Sequence, residues 1–72
     1  MRYAVVIEKA GSNYSAYVPD LPGCIATGAT VEETETEIRN AIRFHLDGMR
    51  EDGIMPPEAV AIAKILDLEI HG

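Results

Sequence analysis

The chain has 72 residues, a length that accommodates one small domain around a single core. Twelve acidic residues against six basic ones give a net charge of −6, which argues against a protein devoted to binding nucleic acid phosphates and favours a cationic partner. A single cysteine excludes an internal disulfide, and the longest apolar run, residues 59–63, is too short to span a bilayer, so we expect a cytoplasmic protein without membrane contact.

Three strands are predicted in the first half of the chain. Residues 2–9 are rich in β-branched and aromatic types and are apolar on both faces, which is typical of a central strand. A turn at residues 11–13 leads into the alternating residues 14–18, so these two strands form a hairpin. A Pro-Gly turn within residues 20–23 then precedes a short third strand, residues 24–28.

A helix is predicted over residues 31–52, which carry seven acids and three bases and so have a net charge of −4. Thr30 and Glu33 form a capping box at its start, and Gly53 with the prolines that follow ends it. One apolar stripe of this helix is expected to pack on the sheet. The stripe consists of Val31, Thr34, Ile38, Ala41, Ile42, His45, Leu46 and Met49. Its members expected to be buried are Ile38, Ile42, Leu46 and Met49.

The residues after the helix predict a fourth strand. Residues 59–64 form either a short helical turn or the beginning of that strand. Apolar and polar side chains then alternate, in the order Leu66, Asp67, Leu68, Glu69, Ile70 and His71. A right-handed crossover through the helix places this strand parallel to the first strand and beside it.

The predicted fold is therefore α+β, with element order β-β-β-α-β. It has a mixed four-stranded sheet of order 3-2-1-4 and one main helix on one face. The opposite face of the sheet has no cover from this chain, and Tyr17 and Ile25 are expected to lie there. Apolar surface of this kind favours self-association, for which a homodimer is the commonest closed form.

Few residues are candidates for catalysis or metal binding. Asp20 has acidic neighbours that suit magnesium, but capping of its own turn is the favoured interpretation. Cys24 and His45 have the residue types of a nucleophile and its base, but a core role is favoured for Cys24. We therefore predict no catalytic residue, no metal site and no cofactor. Phe44 lies off the apolar stripe, and the favoured interpretation is contact with the tail of its own chain, with contact to a partner as the alternative.

Two segments resemble the HicB-like antitoxin family. The first is VPDLPGCIATG at residues 18–28, followed by TVEE at residues 30–33, and the second is AIRFHLDGMREDG at residues 41–53, followed by PPE. With the opening strand, the match covers residues 2–58. The resemblance implies a partial ribonuclease H-like fold and a type II toxin–antitoxin system. In such systems HicB binds and blocks HicA, a small messenger-RNA-cleaving toxin with a double-stranded-RNA-binding-type fold. The acidic turn position of the family corresponds to Asp20.

This sequence departs from many family members, which carry a C-terminal DNA-binding domain. We expect a single HicB-like domain over residues 1–72, without that domain and without specific DNA binding. The predicted function is an antitoxin, not an enzyme, that binds and neutralises a HicA-type toxin. The alternatives are an orphan homo-oligomeric regulatory or binding module and a minimal metal-dependent nuclease. The predicted partner interface consists of Tyr17, Asp20, Glu32, Glu33, Thr36, Glu37, Arg39 and Phe44.

Overall fold

The structure, a computed structural model, describes residues 1–70. Its elements are β1 (Val6–Ala10), β2 (Asn13–Tyr17), β3 (Ile25–Gly28) and the helix α1 (Val31–Glu51). The α+β class, the three strands and the single helix are confirmed. His71, at the end of the predicted fourth strand, lies outside the described residues.

The sheet is antiparallel, with the order β1-β2-β3. Ala16 faces α1 and is buried, so its neighbour Tyr17 points to the opposite face, which we call the outer face. Tyr17 pairs with Ile25 on that face, and both side chains are exposed as expected. The prediction that β1 is a central strand is wrong for the described residues, because β1 pairs only with β2 and lies at an edge.

The ends of α1 are fixed by local interactions. The Thr30 hydroxyl accepts a hydrogen bond from the Glu33 amide at 3.0 Å, which confirms the predicted cap. Gly28 lies so close to the first turn that an added Cβ would be 2.6 Å from Thr34 Oγ1. At the other end Gly53 adopts φ 69°, a conformation that favours glycine, and the chain leaves the helix there.

The core lies mainly between α1 and the β2–β3 half of the sheet. Ile38 is buried, as predicted, whereas Ile42, Leu46 and Met49 are only half-buried. The buried apolar residues are Ala16, Val18, Leu21, Cys24 and Ile38. The half-buried residues around them are Tyr3, Val5, Ile7, Ala26, Ala41, Ile42 and Leu46.

Residues 54–70, called the tail below, contain neither helix nor strand. The fourth strand is therefore absent from the described residues, and the sheet is three-stranded and antiparallel rather than four-stranded and mixed. Two anchors set the path of the tail. The Tyr3 hydroxyl donates to the Pro57 carbonyl at 2.7 Å, and Asp20 Oδ2 accepts from the amides of Val60 and Ala61 at 3.1 and 3.0 Å. These bonds hold residues 57–61 beside the β2–β3 turn and the residues that precede β1.

Candidate partner-binding surface

The first half of α1 exposes a group of carboxylates that have no ion-pair partner within residues 1–70. Within residues 1–70 the ion pairs are Arg39 with Glu35 at 3.9 Å and Arg50 with Asp47 at 3.2 Å. Three further glutamates of the helix are exposed and have no such partner in that part of the chain. These are Glu32, Glu33 and Glu37. Together with the exposed Thr36 they form what we call the α1 acidic surface, whose negative charge is available to a basic partner.

Phe44 extends the same side of α1. It follows Glu37 by seven residues, which is close to two full turns, so the two side chains project in similar directions. The ring is 83% exposed, and a Cβ added at Gly48, four residues later, would meet nothing within 4 Å. The tail does not cover the ring, so the intramolecular alternative for Phe44 is wrong for the described residues. An exposed aromatic beside carboxylates suits the apolar anchor of an interface.

The structure does not bring all eight predicted interface residues onto one surface. The four residues of the α1 acidic surface share one helix with Phe44. Arg39 lies on the flank of α1 that faces β1, where it lines a groove. Tyr17 lies on the outer face of the sheet, and Asp20 lies in the β2–β3 turn. Which of these residues contact a partner stays a prediction.

Asp20 holds the tail rather than its own turn. The turn closes through backbone bonds, from Leu21 N to Val18 O and from Cys24 N to Leu21 O, both at 3.1 Å. The carboxylate instead accepts two amides that lie 40 and 41 residues later in the sequence. Sequence reasoning assigned Asp20 to the turn and missed this contact, because no local pattern encodes a bond over such a distance. We call this arrangement the Asp20 clamp.

The candidate metal and thiol sites have two relevant properties in the structure. Within residues 1–70, no three His, Cys, Asp or Glu side chains lie together in a way that could hold a metal ion. Cys24 is buried, and burial raises the pKa of its thiol above the ordinary value, so little of it is a nucleophilic thiolate at neutral pH. The same part of the chain has no helix with the length and apolar character needed to cross a bilayer.

A groove between β1 and α1 is a feature that the sequence did not predict. It has a volume of about 660 Å3. Apolar side chains of both elements line it, and arginines lie among them. The apolar and aromatic residues are Met1, Tyr3, Val5, Ile7, Ile38, Ile42 and Leu46, and the charged residues are Arg2, Arg39, Arg43 and Glu35. We call this feature the β1–α1 groove. The sequence did contain one indication of this groove. The apolar stripe of α1 is wider than three strands can cover, so Ile42 and Leu46 are left only partly covered.

Comparisons with known proteins agree with this architecture. A family model described as a HicB-like antitoxin of bacterial toxin–antitoxin systems matches residues 3–70. An uncharacterized 14.9 kDa protein of Haemophilus phage HP1, from the rep-hol intergenic region, is 37% identical over 67 residues, or 93% of this chain and 50% of the relative. A UPF0150 protein of Helicobacter pylori is 40% identical over 47 residues, 65% of either chain. This chain thus spans about half the length of the phage relative.

Among solved structures, a chain of a HicA3 and HicB3 toxin–antitoxin complex has a similar fold. The TM-score is 0.67 at 25% sequence identity, over 76% of this chain and 64% of the other. The shared architecture is consistent with the sheet and helix described above.

Proposed function

The chain belongs to the HicB-like antitoxin family of bacterial toxin–antitoxin systems, and we propose that it binds and neutralises a small messenger-RNA-cleaving toxin of the HicA type. The family match covers nearly the whole chain, and a similar fold occurs in a HicA3 and HicB3 complex. Both observations support a toxin as the partner.

The observation that carries this proposal is the α1 acidic surface beside Phe44. A toxin that cleaves RNA needs lysines and arginines to hold phosphates. Carboxylates without intramolecular partners attract the same side chains and compete with RNA for them. The exposed Phe44 ring adds apolar contact area, which charge alone does not supply. The proposed mechanism of neutralisation is therefore occlusion of the RNA-binding surface of the toxin.

The remaining parts of the proposal concern the whole protein. We propose a single-domain, non-enzymatic protein of the cytoplasm that does not bind specific DNA. We also propose that the free edge of β1 accepts residues 66–70 as a parallel fourth strand. That strand would complete a sheet of order β3-β2-β1-β4 in a partial ribonuclease H-like fold, and a homodimer is the proposed assembly.

The test of the toxin-binding proposal compares two double variants of equal charge. Glu33→Gln with Glu37→Gln removes two carboxylates from the α1 acidic surface. Glu8→Gln with Glu58→Gln removes two exposed carboxylates from elsewhere on the chain. Binding to a HicA-type toxin encoded by a neighbouring gene is measured by titration calorimetry at low and high salt.

We expect the helix double variant to weaken binding by roughly three- to tenfold at low salt, and less at high salt, because salt screens exposed charges. We expect the control variant to bind within about twofold of the parent protein. Equal losses in the two variants would remove α1 as the interface. Failure of the parent chain to bind the toxin, or to restore growth on co-expression, would favour the orphan module. Magnesium-dependent RNA cleavage lost in Asp20→Asn would favour the nuclease.

A further inference from the structure

The two edges of the sheet differ in what lies beside them. At the end of β3, Gly28 lies so close to the start of α1 that an added Cβ would be 2.6 Å from Thr34 Oγ1. Beside β1, Ile42 and Leu46 overhang the edge and leave the β1–α1 groove open. No strand within residues 1–70 pairs with this edge, so its backbone groups are available for pairing. An unpaired edge next to an apolar groove is a template for one more strand.

Residues 66–70 have the pattern that such a position requires. Leu66, Leu68 and Ile70 alternate along the chain, so an extended conformation places all three on one face. They are 74%, 78% and 90% exposed in the single chain. Regularly spaced apolar side chains that remain exposed are typical of a segment that binds another surface.

Charge favours the same pairing. Three of the six basic residues of the chain, Arg2, Arg39 and Arg43, line the groove. Glu35 lines it as well and pairs with Arg39, so Arg2 and Arg43 give the groove its net positive charge. The segment carries no basic residue, and Asp67 lies between its leucines, so the charges of segment and groove are complementary.

The path of the tail bears on which copy of the chain supplies the strand. The Asp20 clamp fixes Val60 and Ala61 at the β2–β3 turn, and the Tyr3–Pro57 bond holds the beginning of the tail beside the residues that precede β1. Beyond the clamp, residues 66–70 form neither helix nor strand and their apolar side chains are exposed, so the segment is not seated in the groove of its own chain. The groove is open in the same structure and is therefore accessible to the segment of another copy.

From these observations we propose that the β1–α1 groove binds residues 66–70 of a second copy of this chain, which add to β1 as a strand. In a two-fold dimer each copy gives its segment and receives the other, and exchange of identical elements is a low-cost route to such a dimer. The inference rests on the four-stranded sheet proposed above and adds which chain supplies the fourth strand. It does not depend on the toxin.

The test is site-directed cross-linking between differently tagged copies of the full chain, both carrying Cys24→Ala. One copy carries Glu8→Cys on the outer face of β1, and the other carries Asp67→Cys. The matched control replaces Glu8→Cys with Thr27→Cys. Glu8 and Thr27 are both exposed and lie in the same row across the sheet through Ser15, but at opposite edges. A short bismaleimide joins the cysteines, and denaturing gels resolve the products.

We expect the Glu8 mixture to give a cross-linked heterodimer at several-fold higher yield than the Thr27 mixture. Equal yields from the two edges would overturn the assignment to β1. A single chain carrying both cysteines distinguishes the two sources of the strand. Linkage between copies supports exchange. Linkage at the mass of one chain overturns exchange while retaining the four-stranded sheet, and no linkage of either kind overturns both. Toxin binding is measured separately, so failure of either proposal is recognised by itself.

Discussion

The helix packs on the sheet in two unequal halves. In the closed half, over β2 and β3, the core side chains are almost completely buried. In the open half, over β1, the facing side chains are half-buried beside the β1–α1 groove. The closed half contains Ala16, Val18, Leu21, Cys24 and Ile38, and the open half contains Val5, Ile7, Ile42 and Leu46.

One amphipathic helix supplies both halves, so the difference does not arise from the helix sequence. It arises from the number of strands beneath each side, since β2 and β3 cover one side and β1 alone covers the other. The closed half therefore contributes most of the hydrophobic stabilisation. The open half retains apolar surface that is available for binding another segment.

The largest difference between the halves is expected for truncation of isoleucine. Ile38→Ala should lower the free energy of unfolding by about 3–5 kcal/mol, because the side chain is fully enclosed and leaves a cavity. Ile42→Ala should lower it by only about 1–2 kcal/mol, because that side chain is only half-buried. Urea denaturation at one fixed protein concentration measures both values. Equal losses would show that the two halves are equally closed.

Two glycine-to-alanine substitutions test how closely the backbone of β3 approaches α1. Gly28→Ala places a methyl group 2.6 Å from Thr34 Oγ1 and 2.7 Å from Thr34 N, so the helix start must shift, at about 1–3 kcal/mol. Gly48→Ala meets nothing within 4 Å and should stabilise the protein by up to about 1 kcal/mol through helix propensity. Thermal unfolding should therefore shift in opposite directions. Tolerance of Gly28→Ala without a loss would contradict the close contact between β3 and α1.

The smallest effect is expected from the thiol of Cys24. Burial raises the pKa of this thiol in the folded state, so the folded protein retains a proton that the unfolded chain releases. The resulting stabilisation is fully present below the unfolded thiol pKa of about 8.5 and is lost as the pH rises through the folded value. The unfolding free energy of the parent should fall more between pH 8 and 10 than that of Cys24→Ala. Parallel pH profiles would show that the thiol is solvated.

The features that the sequence predicted are those encoded by neighbouring residues. The cap at Thr30 and the end of the helix at Gly53 depend on interactions within one turn, and both appear in the structure. The path of the tail depends on Asp20 and Ala61, which lie 41 residues apart. Alternation at residues 66–70 shows that one face is apolar, but it does not specify which strand edge, or which copy, receives that face.

The predicted interface residues also differ in whether local sequence determines their positions. The capping box and helical spacing located the glutamates and Phe44 on α1, because one helix determines their relative positions. Tyr17 belongs to a different face, since the direction of its side chain depends on its pairing with Val6 and Ile25. Predicting the β1–α1 groove requires knowing where α1 lies over β1 and that no strand within residues 1–70 pairs with the outer edge of β1, so single-sequence patterns did not reveal it.

The Asp20 clamp has a consequence for how this protein tolerates sequence change. Its two hydrogen bonds come from backbone amides, so the side chains at positions 60 and 61 take no part in them. Every residue type except proline supplies that amide. The side chains at positions 60 and 61 can therefore change without loss of these bonds, while the path of the chain there stays fixed by one carboxylate.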